Sequence, residues 1–325
     1  MQNEKTCWWV LAISTACQAA TIAITWPLWS VRDAPPNLPA VELPESPWGV
    51  LLFATLFVVV LLPRFGVFAH CLVLGLSMLA DEYRFQPQLW TLAGMMLAAV
   101  SDDARRFMRW QMPALWIWTA VHKTLSPDWW CVHSGSMFGP LIGSDVLVIV
   151  GVALAVTAAE LLTGVVALVR PKWLRVLCPA MHAGIFCFLL IRGWNYSVLP
   201  WNFAMCLCGA WLCCYRGKSR SWEWLAACVL FVVPIGFYVG WVDHTAAHVL
   251  YSGGTPTAKI WRGDRCRGVD QWGELAVPFP SEQRHFLRYF ERTAKVGEML
   301  VIEDQRGFVS GGRFVMRGGR AVRVR

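Results

Sequence analysis

The longest apolar stretch of the chain is residues 144–169, SDVLVIVGVALAVTAAELLTGVVALV, and it decides the class of fold. After Asp145 this stretch holds a single ionisable residue, Glu160. About 20 apolar residues in a helix cross the hydrocarbon core of a bilayer. The rest of the chain agrees, because hydrophobic residues make up 56% of its 325 residues and charged residues only 15%. A soluble domain cannot bury so much apolar surface, so we expect an integral membrane protein whose main partner is the lipid bilayer.

Similar stretches recur through residues 1–242 and predict an all-α polytopic membrane bundle of about nine transmembrane helices. The candidate spans are 7–30, 47–62, 66–80, 88–101, 109–125, 144–169, 173–191, 198–215 and 222–242. The second and third form either a tight hairpin or one kinked helix, and the hairpin is favoured because Arg64 would be costly at mid-membrane. The first span is long for a signal peptide and lacks a clear cleavage site, so we expect it to be retained.

Lysine and arginine are distributed unevenly between the loops. One set of loops and the N-terminus carry 11 of the 29 basic residues: Lys5, Arg64, Arg105, Arg106, Arg109, Arg170, Lys172, Arg175, Arg216, Lys218 and Arg220. The opposite set carries only Arg32, Arg84, Lys123 and Arg192. Basic loops stay in the cytoplasm. We therefore expect a multi-pass protein of the cell membrane, with its C-terminal tail outside the cytoplasm.

Residues 243–325 differ in composition and predict a small α+β appendage. Short strands are expected at 258–262, 275–279, 299–303 and 313–316, with turns at Gly311–Gly312 and Gly318–Gly319. An amphipathic helix with a serine cap is expected at 281–295, where Phe286, Tyr289 and Phe290 form an apolar stripe and Arg284, Arg288 and Arg292 lie on another face. With 14 basic and 9 acidic residues, the tail suits anionic lipid headgroups, or simply a solvated face, but not nucleic acid.

The twelve cysteines do not indicate a disulfide framework or a metal site. Ten lie in or beside apolar helices, where cysteine behaves as a small hydrophobe. Cys206, Cys208, Cys213 and Cys214 lack zinc-finger spacing. Only Cys131 and Cys266 map to the oxidising side, where they either form a disulfide or remain two separate thiols.

Ionisable residues inside membrane spans are costly and mark candidate functional sites. Glu160, His182, His122 and Lys123 are the candidate catalytic residues, whereas His70 is less constrained. Each has a structural alternative: Lys123 can extend to the headgroups, His182 can be a neutral hydrogen-bonded imidazole, and Glu160 can pair with another helix. His122 and Lys123 are 100° apart on their helix, so only one of them should face the bundle interior.

The segment 126–142, SPDWWCVHSGSMFGPLI, follows Lys123 closely. Pro127 breaks the helix, and Trp129 and Trp130 suit the membrane interface. Gly135 and Gly139 allow a re-entrant turn. Asp128 and His133 therefore lie either in a lid over a cavity or in a surface loop.

Several of these segments resemble the vitamin K-dependent gamma-carboxylases and their bacterial HTTM-domain relatives. Residues 120–129, AVHKTLSPDW, are similar to that family's lysine motif, and 81–87, DEYRFQP, to an upstream element. His182, the stretch 195–205 and residues 281–306 resemble later parts of the family, in the same order. The resemblance implies a polytopic bundle and quinol-driven carboxylation of glutamyl side chains, with a reduced quinone as cofactor.

One position departs from the family's pattern. The first lysine of the motif falls on Lys123, but the second, which the family uses as the base, falls on Thr124. Threonine cannot act as an amine base, and the tail of 83 residues is much smaller than the carboxylases' lumenal region. The architecture is therefore expected to be shared, whereas the reaction is open.

Three classes of function remain. The first is a carboxylase-like protein with an outward-opening intramembrane cavity lined by Lys123, His182 and Glu160, which binds a quinone or another lipid. The second is a non-catalytic scaffold or lipid-binding module whose tail docks a partner or a headgroup. A transporter ranks last, because no internal repeat is visible. The chain has no GxxxxGK[ST], GxGxxG, HExxH or GxSxG motif, so nucleotide-driven, zinc-protease and serine-hydrolase chemistry lack support.

Overall fold

The computed structural model describes residues 6–215, 220–270 and 275–324, and the described chain is mostly helical. Its helices are α1 (Trp8–Ile24), α2 (Trp26–Trp29), α3 (Trp48–Leu61), α4 (Pro63–Ala80), α5 (Pro87–Val100), α6 (Asp102–Leu125), α7 (Ser134–Ile142), α8 (Val146–Val169), α9 (Leu174–Arg192), α10 (Leu199–Cys213), α11 (Ser221–Val232) and α12 (Gln283–Thr293). Short 3-10 helices adjoin several of them: Glu82–Arg84, Pro171–Trp173, Tyr196–Val198 and Val233–Val239. A π-helical turn, Trp129–His133, precedes α7.

Among the described residues, five helical segments are long and apolar enough to cross a membrane, so the expectation of about nine spans is not supported. They are Pro63–Ala80, Val146–Val169, Pro171–Arg192, Tyr196–Cys213 and Ser221–Val239. Helices α1, α3 and α5 are apolar but have only 14 to 17 residues. Helix α6 is long enough, but its first two turns carry Asp102, Asp103, Arg105, Arg106 and Arg109. The apolar stretches do form helices. Fewer of these helices count as spans, because three are too short and α6 carries too many charges.

The segment 47–80 consists of two helices rather than one kinked helix. The α3 helix ends at Leu61, the next residue Leu62 has a non-helical backbone, and α4 starts at Pro63. A Cβ atom placed on Gly66 would lie 2.3 Å from the backbone nitrogen of Val59, so the two helices approach each other through their backbones. Gly66 therefore permits the tight hairpin.

Several loops of the described chain gather at two ends of the bundle. At one end, Arg106 pairs with Glu223 at 3.2 Å, and Arg105 stacks on Trp211 with 3.6 Å between the guanidinium carbon and the ring centroid. At the other end, loops 81–88, 126–133 and 193–198 adjoin the C-terminal tail. Lys5, Arg216 and Lys218 lie outside the described residues.

The tail contains a five-stranded antiparallel sheet with the helix α12 packed on it. The strands are β1 (Thr257–Arg262), β2 (Arg265–Gly268), β3 (Glu298–Glu303), β4 (Gly312–Arg317) and β5 (Arg320–Val324), in the order β2-β1-β3-β4-β5. Gly318 and Gly319, both with positive φ, form the turn between β4 and β5. The expected apolar stripe of α12 is buried with Ile260, Leu300 and Ile302. A small α+β unit is therefore present at the C-terminus.

Two expectations for the tail are wrong: the strand at 275–279 and the serine cap of the helix. Residues 275–279 form no strand, whereas the strand β2 was not predicted. Leu275, Val277 and Phe279 are apolar because they are buried in the core, while Pro278 lacks the N–H that a strand ladder needs. The helix is also not capped by Ser281, whose hydroxyl donates instead to the carbonyl of Phe279 at 3.2 Å.

The arginine face of α12 binds the bundle rather than solvent. Arg284 and Arg288 donate to Glu82 at distances of 2.6 to 3.0 Å, and His285 Nε2 lies 2.6 Å from the same carboxylate. Further along the helix, Arg292 donates to the carbonyl oxygen of Asn37 at 2.6 Å. We call the cluster of Glu82, Arg284, His285 and Arg288 the tail clamp. It fixes the tail to the loop that follows α4.

Candidate functional site

A cavity of about 440 Å³ lies between α6, α7, α8, α9 and α10. We call it the chamber. Its lining is almost entirely apolar, and Lys123, Glu160, His182 and Asn202 are among the few polar side chains. Several lining residues of α7 and α8, among them Leu141 and Ile142, are also exposed on the outer surface of the bundle. The chamber therefore has an opening on the side where α8 would meet lipid.

Lys123 and Glu160 form a buried ion pair at the chamber wall. Both carboxylate oxygens of Glu160 accept hydrogen bonds from Lys123 Nζ, each at 2.8 Å. Lys123 is only 2% exposed, so its ammonium does not extend to the headgroups. The indole ring of Trp129 lies 5.3 Å from the Nζ atom, at cation–π distance. Glu160 therefore does pair with a residue on another helix, as its structural alternative predicted, and that partner is Lys123.

A close crossing of α6 and α8 brings this pair together. A Cβ atom on Gly164 would lie 2.5 Å from Ile117 Cγ1 and 3.1 Å from the carbonyl oxygen of Pro113, so only glycine fits there. One turn before Gly164 on α8 is Glu160, and Lys123 lies about two turns beyond Ile117 on α6. Small residues at helix crossings let membrane helices approach closely. The ion pair therefore depends on a glycine one turn away.

His182 has both ring nitrogens occupied. Trp116 Nε1 donates to His182 Nε2 at 3.1 Å, and an indole N–H is only a donor. The proton of the neutral imidazole must then be on Nδ1, which donates to Asn202 Oδ1 at 2.9 Å. His182 therefore lines the chamber as a fixed, neutral side chain that ties α6, α9 and α10 together.

His122 lies away from the chamber. Its Nε2 donates to the carbonyl of Ala247 at 2.9 Å, so its Nδ1 accepts from the Tyr238 hydroxyl at 2.8 Å. Both neighbours on α6 are buried, so the expectation that only one of them faces the interior is wrong, although only Lys123 lines the chamber. Thr124, at the position of the family's base, is exposed and donates to the carbonyl of Ala120 at 2.9 Å. The three consecutive side chains thus point in three directions: His122 toward Ala247 and Tyr238, Lys123 toward the chamber, and Thr124 toward the surface.

His70 also lies outside the chamber lining. Its Nδ1 is 2.9 Å from Thr55 Oγ1 and its Nε2 is 3.2 Å from Gln18 Nε2. These contacts connect α4 to α3 and α1. His70 therefore serves the packing of the bundle.

The segment 126–142 is helical rather than re-entrant. The π-helical turn places Trp129 at 0% exposure in the chamber wall, and α7 runs through both Gly135 and Gly139. His133 faces a neighbouring cavity under the tail. The segment covers part of the chamber, as a lid would, but it is built from helix.

Sequence reasoning missed the segment 243–256, which was assigned to the tail because its composition is polar. This segment folds back onto the bundle, and its Leu250 and Tyr251 line the chamber. Tyr251 has a φ of 54° and accepts a hydrogen bond from Asn195, which has a φ of 50°. Non-glycine residues in the left-handed region are uncommon and concentrate at functional sites. The pairing of these two residues could not be inferred from their separation along the chain.

Two further sequence hypotheses concern thiols and metals. All twelve cysteines are free, so Cys131 and Cys266 do not pair, and both are exposed. Among the described residues, Glu82, Asp243 and His285 offer ligand atoms within 4.8 Å of one another. Arg284 binds both of these carboxylates, so the group acts as an ion-pair cluster rather than a cation site.

Carboxylates at the junction of tail and bundle are held in the charged form. Burial raises the pKa of Glu82, but the hydrogen bond from His285 and the charges of His285 and Arg284 outweigh it, so the pKa lies below its ordinary value. In the same way, His244 and Arg306 overcome burial and lower the pKa of Glu282. These ion pairs fix segment 243–256 and the tail above the chamber.

The fold and the site define a multi-pass membrane bundle with a buried Lys–Glu pair beside an apolar chamber. No family model matches the chain, and neither a curated protein nor a solved structure is similar to it. The resemblance to the gamma-carboxylases and HTTM-domain proteins therefore remains a hypothesis based on the motifs alone.

Proposed function

We propose that the protein is a carboxylase-like membrane enzyme that binds a quinone or another lipid-soluble molecule in the chamber and transfers protons there through Lys123 and Glu160. The observation that carries the proposal is the pairing of an amine and a carboxyl group, 2.8 Å apart, at the wall of an apolar cavity of about 440 Å³. Ligand cavities have volumes of about 300–1,000 Å³. The opening beside α7 and α8 would admit a molecule from the bilayer.

The chemistry of the pair follows from its surroundings. Charges are expensive in a medium of low dielectric, so the ion pair and the neutral pair, in which the proton has moved to Glu160, are closer in energy there than in water. In the neutral pair Lys123 presents an unprotonated amine, the form that accepts a proton from a substrate. Trp129 covers the amine and limits its contact with water.

The residues of the chamber fit a quinone in part. Its apolar walls suit a ring system and an isoprenoid chain, and the indole N–H groups of Trp129 and Trp201 are donors for carbonyl oxygens. A reduced quinone, when bound, would supply through its oxidation by O2 the strong base that carboxylation of a glutamyl side chain requires. The base position of the gamma-carboxylases, Thr124, is directed away from the chamber, so a base in this protein would have to be Lys123.

The test uses the full chain in lipid nanodiscs, with carbon dioxide fixation into a glutamyl peptide followed in the presence of a reduced quinone and O2. A double variant, Lys123→Met with Glu160→Gln, removes both ionisable groups and leaves no unpaired charge. We expect it to retain the fold and lose turnover about 100-fold or more, the scale of general acid–base catalysis. Thr124→Val is the matched control and should keep full turnover. Equal turnover in the double variant and the native protein would contradict the assignment of Lys123.

A non-catalytic lipid-binding module is the second candidate, and one observation favours it. Lys123, Glu160 and His182 already satisfy one another or their neighbours, as residues that only stabilise packing would. This candidate predicts a lipid that co-purifies with the chain and binds in the chamber, without any quinol-dependent turnover in the native protein.

The proposed setting is the cell membrane, with the bundle end that carries Arg105, Arg106 and Arg109 in the cytoplasm and the tail outside. The support is the excess of basic residues at that end, which follows the rule for cytoplasmic loops. The shorter apolar helices α1, α3 and α5 would also lie within the bilayer, at a tilt or in a thinned region. A protein partner for the tail is left open.

A further inference from the structure

A second cavity adjoins the chamber and differs from it in character. It has a volume of about 220 Å³ and lies between the bundle and the tail. We call it the vestibule. Trp201, Leu250 and Tyr251 line both cavities and form the wall between them. The vestibule carries hydrogen-bonding side chains: Gln86, Gln88, His133, Asn195, Ser252 and Thr255.

We propose that chamber and vestibule are the two halves of one binding site for an amphipathic lipid with an uncharged head. The apolar part of the lipid lies in the chamber, and the head lies in the vestibule. This inference rests on the proposed function, because it takes lipid binding in the chamber as given. It adds the chemical class of the ligand and the position of its polar end.

Unpaired donors in the walls indicate what the ligand must offer. Trp201 is only 5% exposed, and its indole N–H has no hydrogen-bond partner among the described residues. Trp129, at 0% exposure, has the same unpaired group in the chamber wall. Buried donors without a partner are costly, and an indole can only donate. A ligand with acceptor oxygens, as in a carbonyl or an ester, would satisfy these two groups.

The head should carry no net charge, because the described lining of the vestibule includes no lysine, arginine, aspartate or glutamate. A phosphate head buried there would lack the arginine or lysine partners that such groups require. The lining holds two histidines, His133 and His244, and His244 already lies 3.6 Å from Glu282. Burial, together with the charge of Lys123, lowers the pKa of His133, so its imidazole is neutral at pH 7. Amide, hydroxyl and neutral imidazole groups suit a hydroxyl- or ester-bearing head.

The wall between the two cavities determines the path of the ligand. Tyr251 is fixed by the hydrogen bond from Asn195, and Leu250 precedes it in the same irregular segment. A molecule that occupies both halves passes beside Trp201, whose unpaired N–H then meets the oxygen-rich region that joins head to chain. The donor thus lies where an amphipathic lipid changes from apolar to polar.

The experiment is photo-labelling of the full chain in phosphatidylcholine nanodiscs with a diacylglycerol that carries a diazirine in one acyl chain. Ala159→Phe narrows the chamber, and Thr255→Trp fills the vestibule. Each should lower labelling of chamber peptides about tenfold, which corresponds to a loss of about 1.4 kcal/mol in binding. The matched controls are Ala158→Phe, an exposed neighbour outside the chamber lining, and Thr257→Trp, an exposed residue outside the vestibule. Both controls should label like the native protein.

The outcomes separate this inference from the proposed function. Loss of labelling in Ala159→Phe but not in Thr255→Trp would show a ligand confined to the chamber, so the inference would be wrong and the lipid-binding chamber would stand. No loss in either variant would overturn both. Stronger labelling by a diazirine phosphatidylglycerol than by the diacylglycerol would show a charged head and would also contradict the inference.

A third variant tests the donor of the wall. Trp201→Phe keeps the apolar bulk and removes the N–H group. Labelling by the diacylglycerol should fall about fivefold. Trp118→Phe is the control and should not change it, because Trp118 is a half-buried residue outside the chamber lining whose buried indole N–H is also unpaired. Unchanged labelling in Trp201→Phe would show that no oxygen of the ligand accepts a hydrogen bond from Trp201. The proposed position of the lipid head would then be wrong.

Discussion

Lys123 and Glu160 are the two residues whose positions matter most for the chemistry of this protein. Each is nearly fully buried, and either charge alone would be very costly at that depth. Together they satisfy one another, with two hydrogen bonds of 2.8 Å. Thr124, one residue further along α6, points out of the bundle. A turn of 100° on one helix thus separates a group that can take part in chamber chemistry from one that cannot.

A double-mutant cycle should measure this pairing. Lys123→Met leaves the carboxylate of Glu160 buried without a partner and should lower the free energy of unfolding by about 3–5 kcal/mol. Adding Glu160→Leu removes the orphaned group and should restore most of that loss. The free energies would be measured by denaturant unfolding in detergent micelles, with Thr124→Val as the control. A loss below about 1 kcal/mol in Lys123→Met would show that the pair contributes little.

At the scale of elements, the crossing of α6 and α8 determines whether the chamber exists. Gly164 touches Ile117 and the backbone at Pro113, and no side chain can be added there without moving the helices apart. The tail clamp has the same importance at the other end, because α12 reaches back to a loop about 200 residues earlier in the chain. Both features join segments that are distant in sequence.

Substitutions at two glycines of α8 should distinguish the crossing from the rest of the helix. Gly164→Leu should separate α6 from α8, lower the melting temperature and reduce ligand retention in the chamber. Gly151→Leu is the matched control, because a Cβ atom there meets nothing within 4 Å. Melting temperatures of the purified proteins in one detergent provide the comparison. Equal melting temperatures for both variants would show that the crossing tolerates a wider spacing.

Acid should loosen the tail clamp. The pKa of Glu82 is lowered in the folded protein, so its stabilising contribution is complete above its ordinary pKa of 4.5 and is lost as the pH falls through the folded value. Glu282 and Asp304 have lowered pKa values as well and act in the same direction. Limited proteolysis should therefore release the tail faster below about pH 4.5 than at pH 7.

Neutralising the clamp should have the same effect without acid. Glu82→Gln should make the tail sensitive to protease at pH 7, because Arg284 and Arg288 lose their shared carboxylate. Glu42→Gln is the control: Glu42 pairs with Arg292 at 3.1 Å but is highly exposed, and such surface pairs contribute little. If both variants resist protease like the native protein, the clamp does not hold the tail.

At the scale of the whole molecule, lipid is the expected solvent for most of the helical surface. Large apolar side chains, such as Leu147 and Val176, are widely exposed on the candidate spans. The polar loops and the tail collect at one end, and the arginine-rich loops collect at the other. Once it is known on which side of the membrane one end lies, the orientation of the whole protein follows.

Cys266 offers a direct test of that orientation. It lies on the exposed strand β2 and is free. A membrane-impermeant maleimide added to intact cells should label the native protein and label a Cys266→Ser variant less, with Cys131 as the remaining exposed thiol at that end. Labelling of Cys266 only after the cells are opened would place the tail in the cytoplasm and contradict the proposed orientation.

Composition and periodicity alone determined the helical membrane bundle, the position of its apolar segments and the small α+β tail. These properties are local: a long run of apolar residues forms an apolar helix of membrane-spanning length whatever it packs against, as in α8. Residues 275–279 show the limit of that reasoning, since burial in a core and membership of a strand both require apolar side chains. The expected number of spans was too high for a different reason: α3 and α5 are as short as their apolar stretches, and α1 ends at Ile24, before the apolar stretch 7–30 does.

Only the tertiary structure decided which polar residues meet. Glu160 could have paired with any neighbouring helix, and the crossing at Gly164 selects Lys123. His122 and His182 had equal standing in the sequence, yet only His182 lines the chamber. Arg284 and Arg288 of α12 bind Glu82, and Arg292 binds Asn37 and Glu42. Pairings of this kind depend on how helices that are 20 to 200 residues apart in the chain are placed relative to one another. Side-chain packing between the helices determines that placement, and local composition does not.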